Sequence, residues 1–265
     1  MTSDSTIRSV VTSLRVLQAF TPTDRVLGVS ELARRLGLGK STVHRALQTL
    51  AGEGFVVAVP GGRYRLGLKL YELGQHVAHA NEFRDPAHHH VRALQQRTGE
   101  TVQLVVLDGP DAVAIDRVES PDALRVLARS GFRSAAHTSA GGRAILAHSG
   151  AEAIEAVLAA AGGPDGTGPV VDGEAVRRTL DQVREDGYAV SADDAGPGLV
   201  TIGAAVFDLR GRVVAGLALI APATRLPASR CRETGLLVRR TADEISRDLG
   251  LRTAGPSPSA RSRRG

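Results

Sequence analysis

The stretch Val29-Ser-Glu-Leu-Ala-Arg-Arg-Leu-Gly-Leu-Gly-Lys-Ser-Thr-Val-His-Arg-Ala-Leu-Gln-Thr-Leu50, continued by Ala51-Gly-Glu-Gly-Phe-Val-Val-Ala-Val-Pro-Gly-Gly-Arg-Tyr-Arg-Leu66, decides the fold. Ser30 is suited to cap a helix over Glu31–Leu36, with Leu32 and Leu36 on one face and Gly37 as its stop. After Leu38-Gly39, helical period resumes at Lys40, and Val43, Leu47 and Leu50 recur at i, i+4, i+7. The opposite face carries Ser41, His44, Arg45 and Gln48, with Lys40 and Thr42 at its start. Such a surface supplies donors for phosphate oxygens and base edges. Phe55–Val59 has strand composition, Pro60-Gly61-Gly62 is a turn, and Arg63-Tyr-Arg-Leu66 alternates like a returning strand that places Arg63 and Arg65 on a wing. Helix, turn, helix and hairpin in that order predict a winged helix-turn-helix, and double-stranded DNA as its partner.

Outward from this unit, Val10, Leu14, Leu17 and Phe20 have the spacing of an amphipathic first helix that ends before Pro22. Leu68 to Val77 is again helical. Its stripe Leu70, Leu73 and Val77 lacks a partner in so small a domain, which predicts a linker helix and a dimer contact.

Charge separates the regions. Lys and Arg exceed Asp and Glu by 10 to 6 over residues 1–82, fall short by 19 to 22 over 83–250, and stand at 4 to 0 over 251–265. The mildly acidic middle is a poor DNA-contacting surface. With 265 residues and 42% hydrophobic content the chain holds about two domains. A single cysteine, Cys231, rules out an internal disulfide framework. No apolar run approaches the ~20 residues of a membrane helix, and the polar start lacks a signal-peptide pattern. The expectation is a soluble cytoplasmic protein, nucleoid-associated when DNA-bound.

The remaining chain mixes helices and strands. Pro86 begins a helix through Leu94, Thr101–Leu107 and Ala112–Val118 pair about Asp108-Gly109, and Leu124–Ala128 adds a strand. Helices follow over Gly142–Ala147, Ala151–Ala161 and Glu174–Asp186, with a loop at Gly162–Pro169. Strands then cover Tyr188–Val190, Val200–Phe207 and Val213–Ile220, before a helix over Arg230–Leu249. This is an α+β domain with one curved antiparallel sheet. The expected boundaries are 1–67 for the reader unit, 68–82 for the linker, 83–250 for the second domain and 251–265 for a basic disordered tail.

Taken together, Leu32–Arg45, Gly62–Gly67, Thr98–Thr101, Ile115–Ser120, Gly142–Ala147, Gly187–Val190 and Ala204–Asp208 resemble the IclR family of bacterial transcriptional regulators, from about Val10 to Gly250. The resemblance implies a winged helix-turn-helix joined by a linker helix to a GAF-like effector-binding domain. It also implies a homodimer or homotetramer on a pseudo-palindromic operator and a small-molecule effector, with no cofactor. The family's pocket would here be lined by Ser139, Ala140, Gly141, Ser191, Thr201, Ala218 and Ile220. Members that bind small carboxylates often present an aspartate, a cysteine and two hydroxyls, where this chain has Ser191, Thr201, Ala218 and Ile220. Because a buried carboxylate without partners is costly, the expectation is a larger, more apolar or neutral effector, with Arg125 and Arg129 as the anion anchors that would reverse it.

Other side chains are weighed against duller readings. Adjacent His88, His89 and His90 do not share an i, i+4 face, so they read as exposed helix-start histidines rather than metal ligands. Cys231 with His137, Asp193 or Asp194 lacks any local sign of a catalytic group, and the two aspartates read as a loop over the pocket. Arg261–Arg264 reads as a solvated tail. A ligand-responsive repressor is therefore expected, with an activator, an effector-independent DNA coat and an enzyme as the competing classes.

Overall fold

A computed structural model describes residues 6–21, 23–80, 84–121, 133–161 and 171–250. The expected strand at Leu124–Ala128, Arg125 and Arg129, the Gly162–Pro169 loop and the basic tail lie outside the described residues. The chain divides into two compact units, Met1–Asn81 and Glu82–Gly265.

In the first unit the elements are α1 (Arg8–Gln18), β1 (Leu27–Gly28), α2 (Val29–Leu36), α3 (Lys40–Gly52), β2 (Val56–Val59), β3 (Arg63–Leu66) and α4 (Lys69–Ala80). Helix α2 starts earlier than expected: Gly28 is its N-cap and no side chain caps it, so Ser30 lies inside the helix instead. Gly37 takes a left-handed φ of 66°, a conformation cheap only for glycine. The amide of Leu38 then reaches back to Ala33 O at 3.0 Å, and the tight turn redirects the chain into α3. Arg15 of α1 donates to Leu36 O at 3.1 Å, closing the same helix end.

Val16, Phe20, Leu27, Leu32, Val43, Leu47, Leu50 and Val56 form the core of this unit. Each such side chain contributes roughly 1.5–3 kcal/mol on burial. The stripe expected on α1 is only partly inside: Phe20 is buried and Leu17 half-buried, whereas Val10 and Leu14 are 51% and 52% exposed, and Val16, off the expected stripe, is buried instead. The hairpin β2–β3 pairs Val59 with Arg63. Two residues of β1 add a third strand to β3, pairing Leu27 with Tyr64.

The second unit contains α5 (Arg84–Thr98), β4 (Thr101–Asp108), β5 (Asp111–Val118), β6 (Arg133–Ala135), α6 (Ala140–Ala147), α7 (Ala151–Ala161), α8 (Gly173–Asp186), β7 (Ala189–Ala192), β8 (Leu199–Phe207), β9 (Val213–Pro222) and α9 (Ala228–Asp248). Six strands form one antiparallel sheet in the order β6-β5-β4-β9-β8-β7. Its period-2 alternation feeds two layers. Val102, Leu104, Ile202, Ala204, Leu217 and Leu219 point to one face, packed under Ala87, Val91 and Leu94 of α5 and Val238, Ala242 and Ile245 of α9. On the other face Val105 and Ala112 pack with Ala140, Ile145 and Leu146 of α6 and Leu180 and Val183 of α8. Helix α6 comes so close to the sheet that a Cβ on Gly203 would lie 2.5 Å from the backbone of Ala140.

Candidate nucleic-acid interface and ligand cavity

Helix α3 turns Val43, Ala46, Leu47 and Leu50 inward. Lys40, Ser41, His44, Arg45 and Gln48 are exposed on the other side, and Thr42 is half-buried. Gly39 is the N-cap and no side chain caps the helix, so its first turn presents backbone N–H groups and the positive end of the dipole outward. The wing is less free than the sequence suggests. Arg63 spends a guanidinium N–H on Val26 O at 2.5 Å, fastening β3 to the segment before β1, and Arg65 reaches Leu66 O at 3.3 Å. Both remain exposed on the same side of the strand, two residues apart.

A cavity of about 440 Å³ opens on the α6 face of the large sheet. Six of the seven expected pocket residues line it: Ser139, Ala140, Gly141, Thr201, Ala218 and Ile220. Ser191 does not, because its hydroxyl is turned away to donate to Thr138 O at 2.8 Å. The Ser139 hydroxyl caps α6 by accepting from Gly142 N at 3.2 Å.

The expectation of a donor-poor pocket fails here. Gln103, Arg117, Arg133 and Thr138 also line the cavity. Gln103 and Arg117 are direct cross-strand partners on β4 and β5, and Gln103 faces Ala218 on its other side. Antiparallel partners share a face, so the three side chains form a row across the cavity floor. Only 7% of the Arg117 side chain is exposed. Burial pushes its guanidinium below the usual arginine value, opposed by Glu119, whose carboxylate is 3.5 Å from Nε. An arginine nonetheless remains charged at neutral pH. The Gln103 Oε1 is buried without a hydrogen-bond partner, which marks an acceptor seeking a donor. Arg133 sits at the rim, half-exposed and paired with Asp108 and Asp111 at 2.5 and 3.0 Å.

The two aspartates of the 193–196 turn divide their work. Asp193, at φ 63°, accepts from Gly198 N at 2.6 Å and holds its own turn. Asp194 accepts from the Thr201 hydroxyl at 2.8 Å. Both line the cavity, as the loop reading expects. What the sequence reading missed was Gln103 and Arg117; the signal available was a glutamine interrupting the otherwise apolar run of β4.

A winged helix-turn-helix followed by an α+β unit with a cavity open on one sheet face defines the class of a DNA-binding transcriptional regulator with a separate regulatory domain. The comparisons agree. The IclR helix-turn-helix domain matches residues 9–60, and the bacterial transcriptional regulator IclR C-terminal domain matches residues 75–247. The chain belongs to the IclR family of bacterial transcriptional regulators, and its relatives are regulators rather than enzymes.

It is 32% identical over 246 residues to the HTH-type transcriptional regulator KdgR of Escherichia coli strain K12, covering 92% of this chain and 93% of that one. Identity to the HTH-type transcriptional repressor AllR of Klebsiella pneumoniae is also 32%, over 90% of this chain and 89% of the other. A crystal structure of an IclR homologue from Microbacterium hydrocarbonoxydans, complexed with 4-hydroxybenzoate, superposes with a TM-score of 0.73 at 29% identity, covering 91% and 98% of the two chains. Among the described residues no helix is long and apolar enough to cross a membrane.

Proposed function

We propose that this protein is an effector-controlled repressor that binds a pseudo-palindromic operator as a homodimer or dimer of dimers. The observation that carries the reading is the outer face of α3, where Lys40, Ser41, His44, Arg45 and Gln48 stand exposed above a fully buried Val43 and Leu47. His44, Arg45 and Gln48 read base edges, Lys40, Ser41 and Thr42 anchor the helix start, and Arg63 and Arg65 hold the backbone beside it. Exposed Ile7, Val10, Val11 and Leu14 on and beside α1, with Leu68, Tyr71 and Leu73 on and beside α4, supply the apolar surface that a second copy covers. Repression rather than activation is favoured by the repressor AllR among the relatives.

The effector occupies the cavity over Gln103, Arg117 and Ala218. The Arg117 guanidinium brings positive charge to the cavity wall, which favours an anionic ligand, and the unpartnered Gln103 oxygen calls for a donor. The fitting ligand is therefore a small organic acid that also carries a hydroxyl, in keeping with the 4-hydroxybenzoate held by the M. hydrocarbonoxydans homologue. Its binding acts on DNA only through unequal affinity for DNA-competent and incompetent states.

Fluorescence anisotropy on the upstream intergenic duplex and a scrambled duplex, at two salt concentrations, tests the operator reading. The expected result is tight binding to the native duplex alone. Equal, salt-labile binding to both opposes it. Adding 4-hydroxybenzoate, benzoate or 4-hydroxybenzamide in the same assay tests the effector class, with release by the hydroxy acid alone as the expected outcome.

A further inference from the structure

Away from the cavity, on the opposite face of the large sheet, His89 and His90 of α5 meet Asp248 of α9. Helix α5 buries Ala87, Val91 and Leu94, and α9 buries Val238, Ala242 and Ile245, in one cluster. That seam presses His90 against the last two turns of α9, leaving its side chain only 15% exposed. The expectation of freely exposed helix-start histidines is therefore incorrect for His90. Its Nε2 lies 2.8 Å from Asp248 Oδ2, and Glu244, one turn earlier on α9, brings a carboxylate oxygen within 3.8 Å of Nδ1. His89, 64% exposed, tips its ring over His90 at a centroid separation of 3.8 Å and puts Nε2 3.7 Å from the same Asp248 oxygen. Adjacent helical histidines ordinarily diverge by about 100°; these meet because the exposed ring is free to swing onto the packed one.

We propose that His89, His90 and Asp248 bind one divalent transition-metal ion of the zinc class, with water completing the coordination. Their donor atoms all lie within 4.8 Å of one another. A tetrahedral ion with bonds of about 2.0–2.1 Å separates its donors by about 3.3 Å. The observed separations of 2.8 and 3.7 Å from Asp248 Oδ2 bracket that value, so an ion between them lengthens the His90 contact and draws the exposed His89 ring inward. Glu244 stands behind the far nitrogen of His90, the position from which a carboxylate orients a metal-bound imidazole and raises its basicity. Two imidazoles and a carboxylate select zinc, nickel or copper over magnesium or calcium. Arg247 contributes an opposing positive charge near Asp248. The neighbouring His88 is outside the set, its Nδ1 being 2.8 Å from Asp116. The bound ion ties the second turn of α5 to the final turn of α9.

Isothermal titration of untagged, chelator-treated full-length protein with zinc chloride tests this, with magnesium chloride as the competing salt. One saturable zinc site per chain is expected, unmoved by excess magnesium. Affinity falls about a hundredfold or more in H90A and H89A, about tenfold in E244Q, and is unchanged in H88A. H89A alters an exposed ring, so its loss of binding is not a folding failure, and circular dichroism of H90A checks the same. Absence of saturable zinc binding overturns the proposal. So does binding that survives in the H89A/H90A double variant.

Discussion

Helix α3 places its chemistry on a surface that packs against nothing within its unit, while the cavity turns Gln103 and Arg117 inward from two neighbouring strands. Their helix starts differ in the same sense. The first turn of α3 follows an uncapped Gly39 and faces outward, whereas α6 is closed by the Ser139 hydroxyl and buried against Gly203. A surface that meets a long polyanion keeps its donors open and tolerates changing partners. Under the proposed function, a surface that selects one small molecule holds a few groups rigidly, and the unpartnered Gln103 oxygen is the acceptor that such a ligand would satisfy.

Separate units make these differences testable. Leu47→Ala empties a fully buried position of a small core and costs about 2–5 kcal/mol. DNA binding then collapses, while a calorimetric transition for the second unit persists; a single transition lost as a whole breaks the division. Gly203→Ala drives a Cβ into the Ala140 backbone and destabilises the second unit by about 1–3 kcal/mol, read as a lowered Tm of that transition alone. Arg117→Gln leaves operator affinity without effector within about twofold and raises the concentration of a hydroxy acid needed for release about tenfold to a hundredfold, since one charged partner is worth about 1.5–3 kcal/mol. Unchanged release in that variant removes the anionic effector from the account.

A smaller effect concerns His137, whose ring burial and the nearby Arg143 charge hold it below its usual value of 6.5. The unfolded chain then takes up a proton before the folded one, so stability is complete above the unfolded value and declines as pH falls through it. Melting followed from pH 7.5 to about pH 5 checks the direction, and His137→Gln flattens the slope.

The same contrast explains what was legible in the sequence. Val43, Leu47 and Leu50 lie within eight residues, so one helical period identifies both the buried face of α3 and its exposed polar face. Six pocket positions were reached through the family resemblance. The row Arg117–Gln103–Ala218 exists only through the registers of three strands, two of them more than 90 residues apart, and no local pattern encodes it. Strand β1 escaped for a like reason: two residues become a strand only when β3 pairs with them. On α1 the apolar period predicts the helix, but the helix buries Val16 and Phe20 while Val10 and Leu14 stay outside the core.

The reading role of α3 is tested most directly by the ratio of operator to random-duplex affinity in His44→Ala and Arg45→Ala, set beside Arg63→Ala. Loss of a base-edge contact costs about 1–3 kcal/mol on the operator and little elsewhere, so the ratio is expected to fall about fivefold to a hundredfold in the first two variants. In Arg63→Ala it is expected to hold while both affinities drop. Equal losses on operator and random DNA in all three variants would contradict the assignment.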